Sequence, residues 1–117
     1  LKDMKNFAEA TRIAVNGWGL EILCKNKNEY SNSLTAVLVP ENCNADDLRK
    51  IILDNYNMSL GTGLSKMKGK IFRIGHLGNF NELMLAGTLA GIEMGLKISK
   101  IPYKSGGIMS ALNYLSK

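Results

Sequence analysis

Apolar and polar positions follow two different patterns along this chain. Apolar residues recurring at intervals of three and four are typical of amphipathic helices, and short apolar runs bounded by turn residues are typical of strands. The first pattern predicts helices over residues 1–16, 44–55 and 80–98, and a last helix after Gly107. The second pattern predicts strands at 20–24, 34–39, 58–60 and 71–74.

The order of these elements is helix, strand, strand, helix, strand, strand, helix, helix. This order predicts an α+β fold in which a small, mainly antiparallel sheet is covered by helices. With 117 residues the chain is one domain by size, 1–117, and a chain of this length hides roughly two thirds of its unfolded surface. It begins with Leu1 instead of methionine, so we expect it to be a piece of a longer protein.

Cap and turn residues predict several element boundaries. Asn44 is a predicted N-cap, and two acidic residues follow it in the first turn, where the helix dipole favours negative charge. Asn79 with Glu82 three residues later forms a predicted capping box for the helix over 80–98. Residues 25–33 are mostly polar and are expected to form a loop.

The predicted helix over 80–98 has a narrow charged stripe beside a face of small residues. The stripe is formed by Glu82, Glu93, Lys97 and Lys100, in which Glu93 and Lys97 have the spacing of an i,i+4 ion pair. The small face carries glycine at every fourth position, namely Gly87, Gly91 and Gly95. Since glycine has no side chain, we expect another backbone, in the sheet or in a neighbouring helix, to approach this face very closely.

Several single residues are interpreted first as structural. Trp18 is a predicted packing anchor, and Arg49 is predicted to face water on its helix. Cys24 and Cys43 lack the spacing of a metal or redox motif and are interpreted as reduced cytosolic thiols. His76 is the only histidine, so we expect no metal site and interpret it as satisfied within the fold, or as supporting a neighbouring site.

The net charge of +5 raises the question of an anionic partner such as a nucleic acid. The lysines are scattered, apart from Lys66, Lys68 and Lys70, and few aromatic residues lie among them for base stacking. No run of apolar residues reaches the ~18 residues that a membrane span needs. We therefore expect neither a nucleic-acid partner nor a membrane.

The segment 61–69 begins with Gly-Thr-Gly and could, in principle, present backbone amides to a phosphate. A phosphate loop normally leads directly into a helix, whereas this one leads through lysines into a strand. The pattern therefore favours a flexible hairpin connection.

Arg73 is the residue most suggestive of a binding site. The chain has twelve lysines but only three arginines, so an arginine in the strand at 71–74 indicates a need for the planar guanidinium. Its fork matches a carboxylate or phosphate with two parallel hydrogen bonds. Strand alternation places Arg73 with Ile71 and Gly75 on one face, and Phe72, Ile74 and His76 on the other. A structural arginine, snorkelling from the sheet or paired with an acid, is the alternative.

Three motifs carry a family resemblance: SLGTGL, then KIFRIGHLGNFNELMLAGTLAGIEMGL, then PYKSGG. With EATRIAVNGWGLEIL, which starts at Glu9, they resemble the C-terminal part of serine–glyoxylate aminotransferases. These belong to the class V group of fold-type-I enzymes that depend on pyridoxal 5'-phosphate. The resemblance covers nearly the whole chain.

The resemblance implies a division of labour between two domains. This chain would be the C-terminal small domain, and its Arg73 would bind the α-carboxylate of the substrate. The Schiff-base lysine would lie in a large domain outside this chain, which implies no catalytic or cofactor-binding residue here and no pyridoxal phosphate on this chain alone. The complete enzyme would be a cytoplasmic homodimer that transfers an amino group from serine or alanine to glyoxylate or a related 2-oxo acid.

Two other classes of function stay open on the sequence. A stand-alone regulatory domain could use Arg73 to bind a small carboxylate without catalysis. A small basic interaction module would instead bind nucleic acid in a salt-dependent manner.

Overall fold

A computed structural model describes residues 2–24, 34–75 and 81–117, with side chains from Asn6 onward. The elements are α1 (Lys2–Gly17), β1 (Glu21–Ile22), β2 (Leu34–Leu38), α2 (Ala45–Tyr56), β3 (Gly61–Thr62), a 3-10 turn (Ser65–Met67), β4 (Ile71–Gly75), α3 (Glu82–Ser99) and α4 (Gly107–Leu115). The predicted loop at 25–33, His76 and Asn79 lie outside the described residues.

The strands form one antiparallel sheet in the order β1-β2-β4-β3. In this order β4 is an interior strand, which pairs with β2 on one side and with the short β3 on the other. Arg73 lies at its centre, opposite Ala36 of β2 and opposite Gly61 of β3. The predicted α+β fold with a small antiparallel sheet is confirmed.

The two faces of the sheet have different environments. Val37, Phe72 and Ile74 are fully buried and share one core cluster with apolar residues of α1, α2 and α3. Paired residues of neighbouring strands point to the same face, so Ala36, Gly61 and Arg73 share the opposite face. None of the three is fully buried. We refer to this side, defined by Ala36, Gly61 and Arg73, as the open face.

The first strand of the β3–β4 hairpin begins later than predicted. The apolar run at 58–60 suggested a strand, but pairing with β4 starts only at Gly61. Leu60 is buried in the core cluster, and Met58 packs against it. The apolar character of these residues reflects their packing in the core and not pairing with β4.

Arg49 does not face water as predicted. Its side chain is only 27% exposed, donates from Nε to the Leu60 carbonyl oxygen at 2.8 Å, and pairs with Asp46 at 3.2 Å. The guanidinium thus donates to a backbone carbonyl of the segment that connects α2 to β3. It ties helix α2 to the segment that enters the hairpin.

Helix α3 is not capped as predicted. Asn81 is the N-cap, and its side-chain oxygen accepts a hydrogen bond from the Met84 backbone N–H at 2.8 Å. The capping box of Asn79 with Glu82 is therefore wrong, since Glu82 is the first helical residue. By contrast, Asn44 is the N-cap of α2 as predicted, accepting from the backbone N–H groups of Asp46 and Asp47.

Glu93 departs from the predicted exposed stripe of α3. It is half-buried, and its Oε1 accepts hydrogen bonds from the Trp18 indole N–H at 2.7 Å and the Ile108 backbone N–H at 3.1 Å. No ion pair between Glu93 and Lys97 forms within the described ranges. Trp18 is fully buried, as expected of a packing anchor. Its indole N–H needs an acceptor in the core, and the carboxylate supplies it.

The glycine face of α3 is used in part. A Cβ built on Gly95 would lie 2.4 Å from Ile52 Cγ1 of α2, and one on Gly91 would lie 3.0 Å from Met58 Cε. Gly87 is exposed, and a Cβ there would meet no atom of the described residues within 4 Å. Close packing is therefore observed at Gly91 and Gly95, but the atoms that approach belong to side chains and not to the predicted backbone, and the prediction is wrong for Gly87.

Candidate functional site

The candidate site is the open face around Arg73. As strand alternation predicted, Arg73 projects away from Phe72 and Ile74, which point into the core. Its cross-strand neighbours there are small, an alanine in β2 and a glycine in β3. An interior strand backed by a close-packed core holds the base of this side chain rigidly.

The Arg73 guanidinium is unpaired within the part of the chain that the structure describes. No described acid or carbonyl accepts a hydrogen bond from it, and Nε is closed to solvent without any partner. The other arginines differ, since Arg12 pairs with Glu9 at 3.0 Å and Arg49 with Asp46 at 3.2 Å. A buried donor without a partner costs about 1–3 kcal/mol. The alternative of an Arg73 paired with an acid finds no partner among these residues.

Gly61 forms the floor under the Arg73 side chain. A Cβ built on Gly61 would lie 3.1 Å from Arg73 Cβ, 3.2 Å from Nε and 3.6 Å from Nη2. The guanidinium therefore leans over β3. This close contact explains why Nε is closed to solvent on that side.

The loop between β3 and β4 folds back on itself. A Cβ built on Gly63 would lie 2.3 Å from the Met67 carbonyl oxygen, so Gly63 faces its own loop. The backbone N–H groups of Met67, Lys68 and Lys70 donate to carbonyl oxygens within the same loop. The predicted hairpin connection is confirmed, and these N–H groups are not available to cradle a phosphate.

Other chemistry is sparse in the parts of the chain that the structure covers. No cluster of three or more His, Cys, Asp or Glu side chains that could hold a metal ion occurs there. The described helices lack the length and apolar character needed to traverse a bilayer. Cys24 and Cys43 are both half-buried. A hydrogen bond from Lys50 to Asp54 raises the pKa of Lys50 on the exposed surface of α2.

Comparison with known proteins shows that this chain is similar to part of certain aminotransferases. No family model matches it. It is 50% identical over 109 residues to a serine–glyoxylate aminotransferase of Arabidopsis thaliana, and 42% identical over 111 residues to one of Hyphomicrobium methylovorum. These alignments cover 92% and 94% of this chain. The chain is homologous to the C-terminal portion of serine–glyoxylate aminotransferases.

This aminotransferase portion spans 27% of the length of each of those two relatives. Its fold is that of a Bacillus subtilis ureidoglycine–glyoxylate aminotransferase, with a TM-score of 0.91 at 19% identity. That superposition covers 99% of this chain and 30% of the other. At this level of identity the match establishes the fold alone.

Sequence reasoning found Arg73 but missed the part played by Gly61 in this aminotransferase portion. Gly61 was grouped with the loop glycines because the strand was expected at 58–60. The missing signal is the register of the hairpin, which places Gly61 opposite Arg73. A strand assigned to 61–62 would have shown that a glycine faces the arginine.

Proposed function

We propose that this chain is the C-terminal small domain, 1–117, of a pyridoxal-phosphate-dependent aminotransferase. The enzyme transfers an amino group from serine or alanine to glyoxylate or a related 2-oxo acid, and Arg73 binds the substrate carboxylate. The unpaired guanidinium on the open face is the observation that carries this proposal. The homology to serine–glyoxylate aminotransferases supplies its context.

The proposal assigns the cofactor to the rest of the enzyme. We assign none of the described residues to pyridoxal phosphate, since the backbone N–H groups of Met67, Lys68 and Lys70 already donate within the hairpin loop. When bound, that group supplies an electron sink for the carbon that carries the amino group. The missing large domain provides this group and the lysine that holds it. The complete enzyme is proposed to be a cytoplasmic homodimer.

The task of Arg73 is to bind and orient the substrate. Because Nε is closed to solvent, the two terminal amino groups are the donors left for a carboxylate. Two parallel hydrogen bonds fix the plane of the carboxylate, and with it the direction of the bond that joins the carboxylate to the neighbouring carbon. An orientation fixed before reaction lowers the entropic part of the barrier. Since β4 is an interior strand, the fork is held on a rigid element.

Substitution of Arg73 in the full-length enzyme tests the proposal. Arg73→Ala removes a charge-assisted, two-bonded contact worth about 2–4 kcal/mol. We expect kcat/KM to fall by a factor of about 30–1000, with most of the change in KM. Arg73→Lys keeps the positive charge but lacks the planar guanidinium fork. Its kcat/KM should therefore lie between those of the unsubstituted enzyme and of Arg73→Ala.

The control for lost positive charge is Lys50→Ala, because Lys50 is an exposed lysine on α2. In steady-state kinetics with serine and glyoxylate, this control should have the same KM and kcat/KM as the unsubstituted enzyme. Near-normal KM values for Arg73→Ala would contradict the assignment. Calorimetry of the isolated chain with serine or glyoxylate provides a second check. Strong binding without the large domain would instead support a stand-alone carboxylate-binding domain.

A further inference from the structure

The contact between Gly61 and Arg73 extends beyond simple strand pairing. The two residues are paired in the antiparallel register of β3 and β4, so both face the open side. A Cβ on Gly61 would come within 3.2 Å of Nε, an atom of the guanidinium itself. It would also come within 3.1 Å of Arg73 Cβ, which the strand backbone holds in place.

The neighbouring glycines do not share this contact. A Cβ on Gly75, two residues along the same strand, would meet no atom of the described residues within 4 Å. One on Gly63 would meet the Met67 carbonyl and Ile71, with no atom of Arg73 among the nearest three. Within the described hairpin, Gly61 is thus the glycine whose missing side chain makes room for the guanidinium.

An added methyl group at this position must be accommodated in two ways. The contact with Arg73 Cβ requires β3 and β4 to separate by a few tenths of an ångström, because the strand backbone holds that atom. The contact with Nε is relieved when the guanidinium swings off the floor toward solvent, a movement that the rotamer freedom of arginine, about 2 kcal/mol, makes easy. Ala36 already carries a methyl group on the other flank, and the guanidinium leans to the glycine side.

We propose that Gly61 is a positioning residue for Arg73: its bare backbone forms the slot that holds the guanidinium, and this slot sets the affinity for the substrate carboxylate. The inference rests on the proposed function of Arg73. It assigns to the Gly-Thr-Gly segment a role in substrate binding that does not involve phosphate. Gly61 touches no substrate and acts through the arginine alone.

The test is a double-mutant cycle in the full-length enzyme with Gly61→Ala, Arg73→Ala and the combined variant. We expect Gly61→Ala to raise KM for both the amino donor and the 2-oxo acid by about 10- to 100-fold, because small misplacements of a positioning group have effects of this size. In the Arg73→Ala background the same substitution should change KM no further. Gly87→Ala is the matched control, with KM unchanged, because its Cβ would contact no atom of the described residues within 4 Å.

The cycle separates the failure of this inference from the failure of the proposed function. If Arg73→Ala leaves KM unchanged, the proposed function fails. If Arg73→Ala raises KM but Gly61→Ala does not, or if their effects simply add, the positioning role of Gly61 is overturned. If Gly61→Ala alone does not fold, folding of the combined variant supports the contact, whereas failure of both assigns Gly61 to strand pairing only.

Discussion

Removing the Glu93 carboxylate would leave two N–H donors without their acceptor. One belongs to the indole of Trp18, which has no exposed surface, and the other to Ile108 in the first turn of α4. A hydrogen bond to a charged acceptor contributes about 1.5–3 kcal/mol, and loss of a helix N-terminal acceptor costs about 1 kcal/mol. Because the two bonds share one oxygen, we expect Glu93→Ala to cost about 3 kcal/mol in total.

Thermal and urea unfolding of the chain measure this cost. For a domain of this size, 3 kcal/mol corresponds to a fall in Tm of roughly 12 °C. Glu93→Gln keeps an acceptor oxygen and loses only the charge, so it should cost about 1 kcal/mol or less. Lys97→Ala removes an exposed lysine on the same helix and should change stability by less than about 0.5 kcal/mol.

Two results would refute this reasoning. Equal losses for Glu93→Ala and Lys97→Ala would mean that the i,i+4 pair on the helix surface dominates. A loss for Glu93→Gln as large as that for Glu93→Ala would mean that the negative charge matters and the acceptor geometry does not.

Three further substitutions test the packing and capping of the helices. Gly95→Ala drives a methyl group into Ile52, and we expect a net loss of about 1–2 kcal/mol by urea unfolding, although alanine is the better helix former. Gly87→Ala meets no neighbour and should stabilise the chain by about 0.5–1 kcal/mol; a loss there would show that a neighbour contacts this part of α3. Asn44→Ala removes the cap of α2 and should cost about 1 kcal/mol, while Asn44→Asp, which restores an acceptor, should recover most of it in the same assay.

The sequence was most informative where one local rule decides the outcome. Helical periodicity located the helices because a helix must bury one stripe, and the N-cap of α2 followed from the preference of asparagine for that position. The strand at 58–60 was misplaced because an apolar run reports burial and does not report pairing. The cap of α3 was misplaced because the sequence has asparagine at both 79 and 81, and the pattern alone does not say which of them caps the helix.

The hydrophobic pattern does not predict contacts between residues that are far apart in the sequence. Glu93 and Arg49 were placed on water-facing surfaces because each is a charged residue on an amphipathic helix. Their partners are Trp18, 75 positions away, and the Leu60 carbonyl, 11 positions away. For the candidate site, alternation correctly placed Arg73 opposite the core. The floor at Gly61 depends on hairpin register, which a loop without a recognisable turn motif does not specify.

Arg73 and its glycine floor lie on the two arms of a single hairpin, within the segment 61–73. Any chimaera of related enzymes that joins its two parents between these positions would therefore combine an arginine from one with a floor from the other. A transplant that carries the whole hairpin would move both together, which makes this hairpin the natural unit of exchange for recombination.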